Sequence, residues 1–231
     1  MREIVFDTEI TGLSFSGGDR LVEIGCIEIV NRVPTGKSFH AYLNPDRPMA
    51  AEAFAVHGLS DTFLADKRRF ADHADELLAF LADSPLVAHN ASFDFGFLNG
   101  ELKLCGRASI DLERMVDTLA IARVRLPGAK HSLDALCTRF GVDRSHRVLH
   151  GALLDAQLLA QVYVELMGGR QIGFALVQEG EAPAPAAMAA HPAAPAVARP
   201  VRHFAPSIEE GARHAEFLST INEPLWTTVP G

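Results

Sequence analysis

Cysteine is scarce: Cys26, Cys105 and Cys137 are an odd, widely spaced set in 231 residues, with no C-x-x-C pair. That pattern excludes a disulfide framework and a zinc cage, and leaves reduced thiols, with Cys26 assigned to the core. Positive charge is also short. Lys and Arg number 21 against 29 Asp and Glu, a formal net charge of −8. A broad basic face that neutralises phosphates is therefore excluded. If the substrate is nucleic acid, cations must sit locally in the site or another protein must deliver the strand. No apolar run approaches the ~20 residues of a membrane span. Met1-Arg2-Glu3 runs straight into Ile4-Val5-Phe6 without a charged leader or an apolar signal segment. The expectation is a cytoplasmic protein with no membrane partner.

What is present supports a sizeable core, since 48% of residues are hydrophobic and 22% charged. Residues 1–170 read as one mixed α/β domain. Strands are predicted at Ile4–Phe6, at Leu21–Val30 with a break at Gly25, and at Lys37–Leu43 up to the Asn44-Pro45-Asp46 turn. Phe70, Ala74, Leu77, Leu78 and Leu81 recur at helical spacing. Leu86-Val87-Ala88 reads as a buried strand leading into a helix over Phe93–Leu104. Further helices are predicted at Thr118–Val124, at Ser132–Phe140 with Ser132 as cap, and from Ala152 to Met167, stopped by Gly168-Gly169.

The candidate chemistry lies at three places. Asp7 and Glu9 sit two apart at the end of a strand, so both point to one face. Two carboxylates on one face repel unless a cation lies between them, and hard divalent metals favour such oxygens. Asp94 stands where a buried strand gives way to a helix, the sheet edge at which α/β folds form ligand sites. His150 precedes Asp155 by five, which on one helix would separate them by ~140°. Both can face one cavity if His150 lies on the lead-in loop. Each feature alone has a plainer reading: a solvated carboxylate pair, a first-turn aspartate favoured by the helix dipole, an exposed histidine. Together they form the set that two-metal phosphoryl chemistry needs, with an imidazole able to take a proton from water. The acidic groups are expected to converge without basic partners. Asp117 and Asp134, at helix starts, are read as capping residues.

At these residues the sequence resembles the DnaQ-like (DEDDh) 3′→5′ exonuclease family. Asp7-Thr-Glu9-Ile-Thr-Gly12, His89-Asn-Ala-Ser-Phe-Asp94 and His150-Gly-Ala-Leu-Leu-Asp155 look like its three motifs. Arg20–Gly25, Asn44–Asp46, Val56–Gly58 and Ser132–Leu136 extend the likeness across residues 3–170. Ile10 replaces a threonine, and its side chain is expected to point away from Asp7 and Glu9. The resemblance implies an RNase H-like mixed sheet flanked by helices. It further implies two divalent ions, Mg²⁺ or Mn²⁺, on Asp7, Glu9, Asp94 and Asp155, with His150 as general base. Thr8, Leu13, His57, His89 and Phe93 would line the slot for the terminal nucleotide of single-stranded or frayed DNA. Within the family the likeness is greatest to the proofreading exonucleases of bacterial DNA polymerase III. The alternative is a stand-alone member trimming DNA or RNA 3′ ends.

After the domain the composition changes. Residues 171–206 are expected to be a flexible linker, because Ala and Pro dominate from Ala182 to Pro206. Gln171 and Phe174 at its start resemble a glutamine-plus-aromatic peptide for the sliding clamp. Residues 207–231 open on Ser207-Ile208-Glu209-Glu210, a capping-box signal for a short helix. With Ile208, Phe217, Leu218, Leu225 and Trp226 they are too small to fold alone. The expectation is a docking tail for the polymerase's large, alpha subunit. A small third subunit of the polymerase core is a further expected partner.

Overall fold

The computed structural model describes residues 1–147, 149–169 and 206–222. Two units divide the chain, Met1–Leu176 and Val177–Gly231. The first is built on a five-stranded sheet whose order is β3-β2-β1-β4-β5. Its strands are β1 Arg2–Ile10, β2 Leu21–Val30, β3 Val33–Tyr42, β4 Leu86–Ala88 and β5 Met115–Asp117. β1 pairs antiparallel with β2 and parallel with β4. The meander β1-β2-β3 therefore supplies the antiparallel half, and the crossovers to β4 and β5 supply the parallel half.

Helices cover both faces, as the apolar alternation of the central strand requires. On one side Ile4, Phe6 and Ile10 pack with α3 (Phe70–Leu81) and α4 (Ala91–Leu104). On the other, Val5 packs with α7 (Ala152–Leu166) through Ala156, Leu159, Ala160 and Tyr163. Between these elements run α1 (Ala51–His57), α2 (Asp61–Leu64), α5 (Thr118–Arg125) and α6 (Leu133–Phe140). Among the described residues no helix is long and apolar enough to cross a membrane. Cys26 is fully buried, and its burial holds the thiol well above its ordinary pKa.

Three strand expectations change, and one of them is β3, which starts at Val33 rather than Lys37 and ends at Tyr42. β1 continues past Phe6 to Ile10, so Asp7 and Glu9 stand inside the strand. β2 is unbroken at Gly25, which pairs with Asp7. The glycine answers to packing: a Cβ there would lie 2.3 Å from the backbone nitrogen of Leu153. Only a bare backbone lets α7 come this close to the sheet. In the second unit, α8 (Ile208–Ser219) starts with both arms of the capping box in place, Ser207 and Glu210 each bonding the other's end. None of its residues is buried. Gln171, Phe174, Leu225, Trp226 and the linker expectation lie outside the described residues.

Candidate active site

Strand alternation divides β1 between two jobs. Odd positions Asp7 and Glu9 follow Val5 on the α7 face, while Thr8 and Ile10 face the other way. Ile10 is buried with Ile4 and Phe6, so its exchange for threonine leaves the carboxylate face alone. The rings of Phe6 and Phe95 meet edge-on at 5.8 Å, which ties β1 to α4 one residue from Asp7 and from Asp94. Asn90 turns the chain from β4 into α4 with a left-handed backbone, φ 66° and ψ 47°, a conformation asparagine tolerates better than most residues. Its N–H donates to the Asp117 carboxylate at 3.0 Å. Asp117 also accepts from Leu119 N, so the capping reading of that residue holds. The turn sets Asp94 in the first turn of α4, buried, where its Oδ1 accepts from the Thr8 hydroxyl at 2.7 Å.

Opposite them, Gly151 caps α7, Asp155 lies in its first turn, and His150 stands just outside the helix. Helix plus lead-in loop brings the pair together, with His150 Nδ1 3.3 Å from Asp155 Oδ2. The His150 N–H donates to Val56 O at 3.2 Å. Glu9, His150 and Asp155 each offer a ligand atom, and these lie within 4.8 Å of one another. Glu9 Oε1 is a buried oxygen with no hydrogen-bond partner among the described residues. A carboxylate with an orphaned oxygen, grouped with further oxygen and nitrogen donors, suits a divalent cation.

The electrostatics agree. Burial, reinforced by the Asp94, Glu9 and Asp155 charges, pushes the Asp7 carboxyl well above the usual carboxylate range. Burial first, then Asp155 and Glu23, raises Glu9 to about 8. Burial likewise raises Asp94 to about 7, against the Thr8 hydrogen bond. Asp155 goes the other way. Burial pushes it up, but hydrogen bonds from His150 and Arg147 overcome that and hold it below its ordinary value.

Arg147 corrects the expectation of an acidic site without basic partners. Its Nε and Nη2 donate to the two oxygens of Asp155 at 2.5 and 2.6 Å. Its Nη1 donates to Asp134 at 2.8 Å. Asp134, read from the sequence as a cap, thus holds this guanidinium as well as Arg144. Glu23 was also missed: it is buried across the ladder from Glu9 and bonds His40 at 2.7 Å. Its place on an apolar strand, where a carboxylate is costly, was the available signal.

Beside the carboxylates lies a mostly apolar cavity of about 600 Å³. Thr8, Leu13, His57 and Phe93 line it, together with Glu9, Ile10 and Val56. Leu13 is largely exposed at its edge. His57 is buried between Ile10 O and Leu59 N, and burial lowers its pKa. His89 does not line this cavity. Its Nδ1 lies 2.9 Å from the Thr118 hydroxyl, at the start of α5.

Comparison with known proteins adds relatives to this geometry. The profile of the RNase_T exonuclease family matches residues 4–163. The DNA polymerase III epsilon subunit of Rickettsia felis is 49% identical over 96% of this chain and 97% of its own length. That of Escherichia coli K12 is 49% identical over 78% of this chain and 76% of its own. Among solved structures, exonuclease X in complex with 5′ overhanging duplex DNA is 27% identical, with a TM-score of 0.56, covering 72% of this chain and 90% of its own. The nuclease domain of 3′hExo, a DEDDh family member bound to rAMP, shares the fold at a TM-score of 0.62 and 14% identity, over 72% of this chain and 92% of that one.

Proposed function

This chain belongs to the exonuclease family, as a 3′→5′ exonuclease of the DNA polymerase III epsilon kind, and from that premise we propose which residues carry its reaction. Its partners are DNA and the polymerase III core. The enzyme depends on divalent metal, as its family does.

Asp7, Glu9, Asp94 and Asp155 would hold two ions, Mg²⁺ or Mn²⁺, small hard cations suited to an oxygen donor set. When bound, they supply Lewis-acid stabilisation of the attacking and leaving oxygens of the phosphodiester. The observation that carries this reading is the buried Glu9 carboxylate, one oxygen of which lacks a partner among the described residues, grouped with Asp155 and His150 within 4.8 Å. Thr8 orients the Asp94 carboxylate by its hydrogen bond. His150, as general base, accepts the proton of the attacking water, and its half-exposed ring is open to that water. Leu13, His57 and Phe93 line the slot that takes the terminal nucleotide, with the apolar wall stacking the base. Mispaired ends unstack at lower cost and reach this slot more often, which gives proofreading its selectivity.

Helix α8 is the candidate dock for the polymerase alpha subunit. It exposes Ile208 and Phe217 and buries none of its residues, as suits a helix whose apolar side chains enter a partner's groove. Leu218, Leu225 and Trp226 complete the proposed anchor. Gln171 and Phe174 are proposed to meet the sliding clamp, and a small third core subunit is a further proposed partner. A chain ending at Arg170 should keep its activity on single strands and fail to co-purify with alpha. Equal binding by the shortened chain would exclude the tail as tether.

The direct test is degradation of matched, mismatched and RNA-ended primers with Mg²⁺, Mn²⁺ or chelator. The expected order is mismatched DNA fastest and no digestion in chelator. Digestion in chelator would overturn the metal site. Preference for RNA ends would favour the trimming alternative.

A further inference from the structure

Arg147 has no part in the reaction as assigned so far, yet its side chain is only 8% exposed, against 47% for Arg144, which reaches the same Asp134. Its guanidinium meets Asp155 fork to fork, so both oxygens of that carboxylate are engaged. The same Nη2 lies 2.9 Å from His150 Nδ1, and Nη1 holds Asp134. One cation thus joins the fourth carboxylate of the site, its imidazole and the first turn of α6.

We propose that Arg147 and the divalent ion are alternative partners of Asp155, so that metal binding must release the Arg147 fork and, with it, the loop that carries His150. This rests on the reading of Asp155 as a metal ligand. The physical ground is occupancy and charge. A bidentate guanidinium occupies a lone pair on each carboxylate oxygen and crowds the approach of an ion, and two cations on one carboxylate repel. Because the guanidinium also touches His150, an ion that displaces it frees the base at the moment the site becomes loaded. Arg147 acts here as a positioning residue, through Asp155 and His150, and not as a group that touches substrate.

The test is Mn²⁺ binding to the full chain by calorimetry, alongside hydrogen exchange at Ser145, Arg147 and His150. For Arg147→Gln the Kd of the Asp155-dependent ion should fall about tenfold, the gain expected when a partner that holds roughly nine molecules in ten closed is removed. Arg147→Lys keeps the charge but cannot form the fork, and should tighten binding less. If the glutamine variant does not fold, the lysine variant decides the matter. In the wild type, Mn²⁺ should speed exchange at these amides, and in Arg147→Gln they should exchange fast from the start. Asp155→Asn separates the two ideas. If it loses an ion while the Arg147 variants bind with unchanged or weaker affinity, the competition is refuted and the ligand assignment stands. If it binds both ions as the wild type does, the ligand assignment falls and the competition with it.

Discussion

Asp7, Glu9 and Asp94 stand on a paired strand and a core helix, with Asp7 and Asp94 each one residue from an edge-on aromatic pair, whereas His150 and Arg147 stand on the connection between α6 and α7, where Arg144, Leu149 and His150 are exposed. On the first side the backbone ladder and the core fix each carboxylate. On the second, the fork to Asp155, the arm to Asp134 and the His150 N–H to Val56 O hold the chain. Rigid elements suit ligands that must converge at set distances. A connection held by polar contacts suits a base that must meet water and substrate. Like charges are concentrated where the scaffold can bear them, and adjustment is left to the loop.

The largest effect should come from the rigid side. Asp7→Ala should lower turnover by about 10³-fold or more, because several kcal/mol of charge stabilisation is lost at ~1.4 kcal/mol per tenfold. Removing a carboxylate from a mutually repelling group should leave the melting temperature in chelator unchanged or higher. Full activity of Asp7→Ala in Mg²⁺ would end the two-metal reading. On the loop side, His150→Ala should lower turnover by ~10²–10⁴-fold, the contribution of a positioned base. Mn²⁺ affinity should change far less. Equal losses of affinity and rate would make His150 a ligand rather than a base.

Gly25 joins the two sides, since β2 and the start of α7 touch there. Gly25→Ala should destabilise the fold by about 1–3 kcal/mol, the usual range for overpacking, as read from denaturant midpoints, and should cut activity by shifting Asp155. Wild-type stability and activity would show that α7 does not depend on this approach. The mildest expected effect concerns pH in chelator. Glu9 is raised to about 8 and Asp94 to about 7. Groups raised by folding favour the native state while protonated, so their contribution is whole below the unfolded carboxylate value, about 4. It is lost as pH rises through about 7 to 8. Asp155 is lowered, so its contribution runs the other way, present at neutral pH and lost in acid. Thermal melts in chelator should therefore weaken from pH 6 to pH 9, the range around those raised values, and divalent metal should remove the decline. A flat profile in chelator would contradict the crowding of Asp7, Glu9 and Asp94.

Much of the rigid side was legible in the sequence. β2 and α3 have the limits their apolar periodicity predicts, Leu21–Val30 and Phe70–Leu81, and the Ser207 signal does open a helix. Helix α1 was missed because Ala51–His57 buries little beyond His57, which leaves weak periodicity to read. β5 was missed because three residues are too few to alternate. Gly25 looked like a strand breaker because propensity is local, while its cause, the α7 backbone, lies over a hundred residues away in sequence. Arg147 escaped for the same reason. Eight residues before Asp155, on a loop without periodicity, nothing local announces that its side chain turns inward. Glu9 and Asp94 were found because strand alternation and the strand-to-helix switch are local geometry.

Whether Asp7, Glu9, Asp94 and Asp155 share divalent ions is decided by anomalous diffraction from Mn²⁺-loaded crystals. Anomalous peaks are expected between these four carboxylates, one of them lost in Asp155→Asn. Anomalous density elsewhere, with none among the four, would contradict that sharing.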